Sequence, residues 1–263
     1  MSLTERSYEH LLIDRDGLVA TVTMNRPVKR NALSVAHMEE LIDAFEAIGS
    51  EPGCAVVVLR AVGPVFCAGH DIAEMVGRSP ADYEHIFAVC TRLMLTIRDL
   101  PQPVIAQVHA LATAAGCQLA ATCDLVVAAA DASFATPGVR IGLFCSTPMV
   151  ALSRAVGQKT SMEMLLTGDP LSAQEAREAG LVNRVVPGDL LAATVAELAA
   201  RIAQASPAVV ALGKRAFYRQ RELPLDQAYD VAREVMVGNA GYQDAQEGMS
   251  AFLDKRAPVW RGR

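Results

Sequence analysis

The chain has 263 residues, 52% of them hydrophobic and 20% charged, a balance that suits one large domain with a sizeable core and argues against disorder. Its formal net charge of −5 gives no Lys/Arg excess, so no nucleic-acid groove is expected, although one acidic group on a ligand needs only one or two local cations. No run of about 18 uncharged apolar residues is present, so no membrane span is expected.

The first seventeen residues lack the basic start and apolar centre of a secretory signal. The six cysteines (54, 67, 90, 117, 123 and 145) are scattered without Cys-x-x-Cys spacing or paired histidines. They read as buried free thiols in a reducing compartment, taken to be the cytoplasm, and no metal site is expected.

In chain order, residues 18–24 alternate with Leu18, Ala20, Val22 and Met24 on one face after a turn at Asp16–Gly17, which reads as one half of a hairpin. Asn25-Arg26-Pro27 breaks that strand. From 34 to 48 the period changes, with Met38, Leu41, Ile42, Phe45 and Ile48 on one helical face and Ser34 placed to cap it. The apolar run 55–59 is a strand covered on both faces. The cycle returns with strands over 103–108 and 125–129, a short helix over 116–122, helices over 161–166 and 173–179, and a strand over 181–186. Strand–turn–helix cycles imply mainly parallel pairing. After Pro187 only helices follow, over 190–205, 207–220, 225–239 and 242–253. Their apolar faces need a surface to cover, in this chain or in another subunit.

Two segments are suited to chemistry. Residues 65–75 (Val-Phe-Cys-Ala-Gly-His-Asp-Ile-Ala-Glu-Met) form a strand–loop–helix junction. Ala68 and Gly69 there let a ligand approach the backbone, and N–H groups at the following helix start favour negative charge. The bland alternative is a tight turn with Asp71 as N-cap. Residues 104–120 repeat the form, a strand and a run of small residues before a helix opening near Gly116. A second N–H donor here, facing the first, would complete an oxyanion hole, in which one donor is worth roughly 10²–10³ in rate. Close helix–strand packing through Ala and Gly is the alternative.

Together the two segments resemble the crotonase superfamily, the enoyl-CoA hydratase/isomerase fold. The likeness extends through Asn25-Arg26-Pro27 with Asn31-Ala32-Leu33, residues 66–75, 112–124, 134–142, 166–168 and 173–186, and the closing 248–258 with Trp260. The resemblance implies an α/β spiral of ββα turns over 1–187 and a helical oligomerisation region over 188–263, assembled as a trimer or a dimer of trimers. It implies acyl-CoA thioester binding, with no cofactor beyond the coenzyme A of the substrate and neither nucleic acid nor membrane as partner. The oxyanion donors would be the N–H groups of His70 and Ala115. The acyl-CoA contacts would be Ala68, Gly69, His70, Asp71, Ile72, Ala73, Gly116, Gly138 and Cys145, with Lys29 and Lys255 near the adenine and phosphates.

Two departures matter. The family has glycine where this chain has Ala114 and Ala115, and alanine accepts a positive φ poorly. The family's two hydratase glutamates fall on Gln118 and Gly138. An amide orients water but accepts no proton near neutral pH, and glycine has no side chain. General acid–base groups supply about 10²–10⁴ each, so efficient hydration is not expected.

The reading is therefore an acyl-CoA-binding protein that stabilises a thioester enolate with altered or weak hydratase chemistry, Gln118 holding water. A malonyl-type acyl-CoA decarboxylase and a non-catalytic acyl-CoA binder are the alternatives. Arg140 and residues 144–148 are placed near the acyl pocket, with Cys145 at a helix start that would favour a thiolate. His109 and Asp124 are read as structural hydrogen-bonding residues, and His10, His37 and His85 as surface positions.

Overall fold

Alternation in the first strands and the unbroken apolar run after them build one sheet. The computed structural model describes residues 6–262, so the first five residues of the expected leaderless terminus lie outside the described residues. Strands β1 (Leu11–Asp16) and β2 (Val19–Met24) pair antiparallel. Ala20, Val22 and Met24 of β2 are fully buried, whereas Leu18, in the turn, stays exposed. β3 (Val56–Ala61), β4 (Val104–Val108), β6 (Leu125–Ala129) and β9 (Arg184–Val186) then add in parallel, giving the order β1-β2-β3-β4-β6-β9. A second, three-stranded sheet joins β5 (Ala112–Thr113), β7 (Ser133–Ala135) and β8 (Leu171–Ser172).

Helix α1 (Val35–Gly49) starts where Ser34 accepts the His37 N–H at 3.2 Å, and its buried face is the expected apolar stripe. It packs on α2 (Pro80–Asp99), the longest helix, whose start is set by a reciprocal Ser79–Asp82 capping box. α3 (Ala115–Thr122) follows β5. The helices α4 (Pro148–Ala155), α5 (Gln158–Thr167) and α6 (Ala173–Glu178) separate β7 from β9. α7 (Leu191–Ala203) turns Leu191, Val195 and Ala199 inward and packs across β2, β3, β4 and β6. It lies on the large sheet, and α8 (Pro207–Gln220), α9 (Leu225–Ala240) and α10 (Gln243–Leu253) lie beyond it.

The first of these, α8, is fastened by polar groups. Asp124 accepts hydrogen bonds from the Val104 N–H at 2.7 Å, Lys214 Nζ at 2.7 Å and the Tyr218 hydroxyl at 2.8 Å. Lys214 also donates to the Ile97 and Gln102 carbonyls, so α8 is held to the ends of α2 and β4. Asp124 is structural, as the sequence suggests. So is His109, whose ring lies 2.9 Å from the Gly63 carbonyl. Trp260 fills the space beside Gly248 and donates its indole N–H to Gln204 O at 2.7 Å. Leu225, Tyr229, Met236, Val237, Phe252 and Leu253 of α9 and α10 remain exposed.

Two histidines depart from expectation: His10, its side chain 13% exposed, lies 3.2 Å from Glu40, and His37 is further in still. His37 is fully buried on α1 rather than at the surface. Its Nδ1 lies 3.1 Å from the Ala32 carbonyl and its ring stacks on His10 at 5.6 Å. Its place on the helix's inner face, one position before Met38, leaves the ring no route to water. All six cysteines are free and buried. Among the described residues no helix is by itself long and apolar enough to cross a membrane, and no cluster of His, Cys, Asp and Glu could hold a metal ion.

Candidate functional site

The loop after β2 and the loop after β3 are tied together before either can present a ligand. Arg30 and Asn31 both adopt left-handed backbone, φ 53° and 52°, a region Asn tolerates better than most residues. The buried Asn31 amide accepts from the Arg26 N–H at 2.9 Å and donates to the Val62 and Val65 carbonyls at 2.8 and 3.0 Å. Arg26 donates to Ala32 O and to Asp71 Oδ2, each at 3.0 Å. Asp71 also accepts the Ala73 N–H at 3.2 Å, so its carboxylate caps a one-turn 3₁₀ helix, Ile72–Glu74, as the bland reading had it. The resemblance contained Arg26 and Asn31 but assigned them no task. No sequence pattern marked them, since the positive φ and the three hydrogen bonds of Asn31 exist only in the fold.

Segments 66–71 and 111–115 run side by side. Leu33 N–H donates to Gly69 O and Asp71 N–H to Leu33 O. In that parallel bridge the N–H of His70 points away from Leu33, toward the side where Cys67 pairs with Ala112. Ala115 is the first residue of α3, where an N–H has no partner within the helix. Among the described residues neither N–H has a protein acceptor. Gly69 (φ +90°) brings the segments into contact: a Cβ there would lie 3.3 Å from Ala115 N. Gly116 does the same, since a Cβ on it would stand 2.3 Å from the Cys67 carbonyl oxygen. Close packing and two free donors are thus both present. The packing that served as the bland alternative is what brings the donors together.

The doubt about alanine resolves as strain. Ala114 takes φ 52° and ψ −120°, a conformation glycine adopts freely and alanine does not. Ala115 is helical.

Gln118 is buried on α3, its Oε1 3.9 Å from Cys90 Sγ of α2. Gly138 is not an empty glutamate position. A Cβ there would lie 2.6 Å from the Leu143 carbonyl oxygen and 2.8 Å from Cys145 Sγ. Cys145 is buried and desolvation raises its thiol pKa, so the expected thiolate is not favoured. α4 does not begin until Pro148. Arg140 turns out of the acyl region to Asp169 and the Thr167 carbonyl.

The His70 ring packs edge-on against Phe87 of α2, centroids 5.5 Å apart at 90°. Both ring nitrogens are shielded from solvent, and the Leu33 carbonyl bears on the ring against the effect of burial. Burial lowers the ring's pKa, which keeps the imidazole neutral. Ile72, Ala73 and Lys29 are exposed near this edge, while Lys255 sits past the end of α10 and shares no hydrogen bond or ion pair with another site residue. Two cavities lie beside the site. One of about 880 Å³ runs along α1 and α2 and includes Phe87. The other, of about 660 Å³, lies among α2, α3, α4 and α8 and reaches Gln118.

A parallel-sheet spiral with two α/β junctions meeting at free N–H groups defines a protein of the crotonase class. The enoyl-CoA hydratase/isomerase family profile matches residues 14–263. The chain belongs to that family, whose members bind acyl-CoA thioesters. It is 47% identical over 247 residues to mitochondrial enoyl-CoA hydratase domain-containing protein 3 of Rattus norvegicus, covering 94% of this chain and 82% of that one. The Homo sapiens counterpart is 46% identical, covering 92% and 80%. A solved enoyl-CoA hydratase of Mycobacterium smegmatis superposes with a TM-score of 0.93 at 50% identity, covering 95% of this chain and 98% of that one.

The cytoplasmic expectation is corrected by these relatives. The rat and human proteins, and one from Danio rerio, are mitochondrial by name and point to that compartment instead. Buried free thiols show that the cysteines are unpaired; they do not distinguish one reducing compartment from another.

Proposed function

We propose that this protein binds an acyl-CoA thioester with its carbonyl oxygen between the N–H groups of His70 and Ala115. The reaction served is one that passes through a thioester enolate. The observation that carries the reading is the pair of unengaged N–H donors brought together at Gly69. Fixed backbone dipoles of this kind stabilise developing negative charge without reorganising. Exposed Ile72 and Ala73 offer an edge for the pantetheine, and Lys29 and Lys255 are the cations assigned to the phosphates. The exposed apolar residues of α9 and α10 support self-association as a trimer or dimer of trimers.

Hydration by the two-carboxylate route is disfavoured. Gln118 accepts no proton near neutral pH, and the Gly138 position is closed by Leu143 and Cys145. Decarboxylation of a malonyl-type thioester is the second reading. It needs enolate stabilisation more than a strong base, and burial lowers the pKa of the His70 ring beside the donors, which makes it a weaker base.

Calorimetry with crotonyl-CoA and with malonyl-CoA, paired with assays for hydration and for CO2 release, tests both. Micromolar binding with hydration near background is expected. Absence of binding to any thioester would sink the proposal, and rapid crotonyl-CoA hydration would overturn its chemical half.

A further inference from the structure

The direction of the His70 N–H is set on the far side of its own peptide. A trans peptide holds its N–H and C=O antiparallel, and the carbonyl of the Gly69–His70 peptide accepts from the Leu33 N–H at 2.8 Å. That N–H belongs in turn to the Ala32–Leu33 peptide, whose carbonyl accepts from Arg26 Nη1 at 3.0 Å. A guanidinium and two peptides therefore stand in series, and the last group in the row is the unengaged N–H of His70. Each donor in such a row is strengthened by the one behind it.

The guanidinium is built into that place. Asn31 N–H donates to the Arg26 carbonyl at 2.9 Å, and Asn31 Oδ1 accepts from the Arg26 N–H at 2.9 Å, which folds Arg26 back onto Ala32. The same Nη1 donates to Asp71 Oδ2 at 3.0 Å. With side chains 19% and 12% exposed, this pair is screened less than a surface pair. Asp71 N–H donates to Leu33 O at 3.1 Å, so the carboxylate that anchors the guanidinium belongs to the residue after His70. His37 Nδ1 also lies 3.1 Å from the Ala32 carbonyl. Burial lowers the pKa of that ring to about 4, so it brings no charge at neutral pH, and Arg26 is the charged donor. The other oxyanion donor is backed differently. The carbonyl of the Ala114–Ala115 peptide accepts from the Gln118 N–H at 3.1 Å, inside α3.

We propose that Arg26 is a positioning residue of the thioester site, which aims and polarises the His70 N–H through the Ala32–Leu33 and Gly69–His70 peptides. The inference rests on the thioester reading above and gives its two donors unequal origins, a helix start behind Ala115 and a guanidinium behind His70. A merely structural Arg26 would hold the loop and leave the bound carbonyl unmoved.

Two ligands test this with the intact protein and its Arg26→Gln and Arg26→Lys variants. One is butyryl-CoA labelled with carbon-13 at the thioester carbonyl, and the other is S-butyl-CoA, which has a methylene in place of that carbonyl. Calorimetry compares their affinities, and the infrared band of the labelled carbonyl reports its polarisation. In the wild type butyryl-CoA should bind more tightly than S-butyl-CoA, and its carbonyl band should lie lower than in buffer. Arg26→Gln should reduce that preference about threefold, since a row of bonds adds roughly 10–30% to a charge-assisted bond. Its carbonyl band should move back toward the position in buffer, with S-butyl-CoA affinity unchanged. Arg26→Lys, the same charge on a stem one bond shorter, should recover part of both effects. A wild-type band and preference in Arg26→Gln overturns the inference. So does equal weakening of both ligands with the band unmoved, which makes Arg26 structural only. A wild type with neither preference nor band shift overturns the thioester reading and this inference with it. Should Arg26→Gln fail to fold, Arg26→Lys takes its place, and a wild-type band there is the overturning result.

Discussion

Gly69 and Ala114 stand so close that a Cβ on Gly69 would lie 2.8 Å from the Ala114 Cβ, with Thr113 O at 3.1 Å and Ala115 N at 3.3 Å. This contact sets the spacing between the two N–H donors, because Gly69 precedes His70 and Ala114 precedes Ala115.

Gly69→Ala therefore combines two costs. The φ of +90° is poor for any residue with a Cβ, and the added methyl must push the two segments apart. Together these should destabilise the fold by about 2–3 kcal/mol. Thioester binding should fall further than stability does, since the donors themselves are displaced. Urea unfolding and calorimetry on the same preparation separate the two effects. A stable variant that binds normally would show that the donor spacing does not depend on this contact.

Ala114→Gly should act in the opposite direction. Alanine at φ 52°, ψ −120° carries about 1–3 kcal/mol of strain, and glycine's greater unfolded-state entropy returns up to about 1 kcal/mol of that. The expected outcome is a protein more stable by about 1 kcal/mol, read from the urea midpoint at constant slope. A lower midpoint would mean that the Ala114 methyl contributes more by packing on Gly69 than its backbone costs.

These neighbours also show how far the sequence could be read. The strands of the large sheet were legible because 18–24 alternates and 55–59 is continuously apolar, and each pattern has one physical reading. The strands of the small sheet were not. β5 and β8 are two residues long and β7 three, too short for a period to show. α2 was noticed only as helical spacing after residue 75, although its Ser79-Pro80 start and Asp82 cap partner are a recognisable opening. At the site the two small-residue junctions marked His70 and Ala115. What lay beyond reach was anything set by distant backbone: the Leu143 carbonyl under Gly138, Phe87 against the His70 ring, and the departure of Arg140 to Asp169.

The closure of Gly138 sets the outcome of restoring the family's carboxylates. Gly138→Glu places a Cβ 2.6 Å from a backbone oxygen, which cannot yield as a flexible side-chain end would. We expect the single variant and the Gln118→Glu/Gly138→Glu pair to be destabilised by about 2–4 kcal/mol, within the range seen for overpacking a core. Neither should gain efficient crotonyl-CoA hydration. Adding Cys145→Ala removes the Sγ contact at 2.8 Å but not the carbonyl contact, so rescue should be partial. Full stability in the pair, measured by thermal unfolding, would show that the 138–145 turn rearranges freely.

His37 gives the fold an acid dependence. Burial, aided by the nearby charges of His10 and Arg26, lowers its pKa from 6.5 to about 4, against the opposing effect of the Ala32 carbonyl and Glu40. The unfolded chain thus takes up a proton near pH 6.5 while the folded chain does not until about pH 4. More protons on the unfolded state mean that stability rises with pH across that window. The stabilisation is complete above pH 6.5, falls as the pH drops toward 4, and levels off below. The lowered pKa corresponds to a loss of about 3 kcal/mol for this one group. His70, also lowered by burial, adds to the same slope. Urea unfolding from pH 7.5 to 4 should show that decline in the wild type. His37→Gln should remove about one proton from the slope, because the amide can still reach the Ala32 carbonyl without titrating. An identical slope in both proteins would place the titration elsewhere. The buried, unpartnered Nε2 of His37 would then need a water or a rotated ring to explain it.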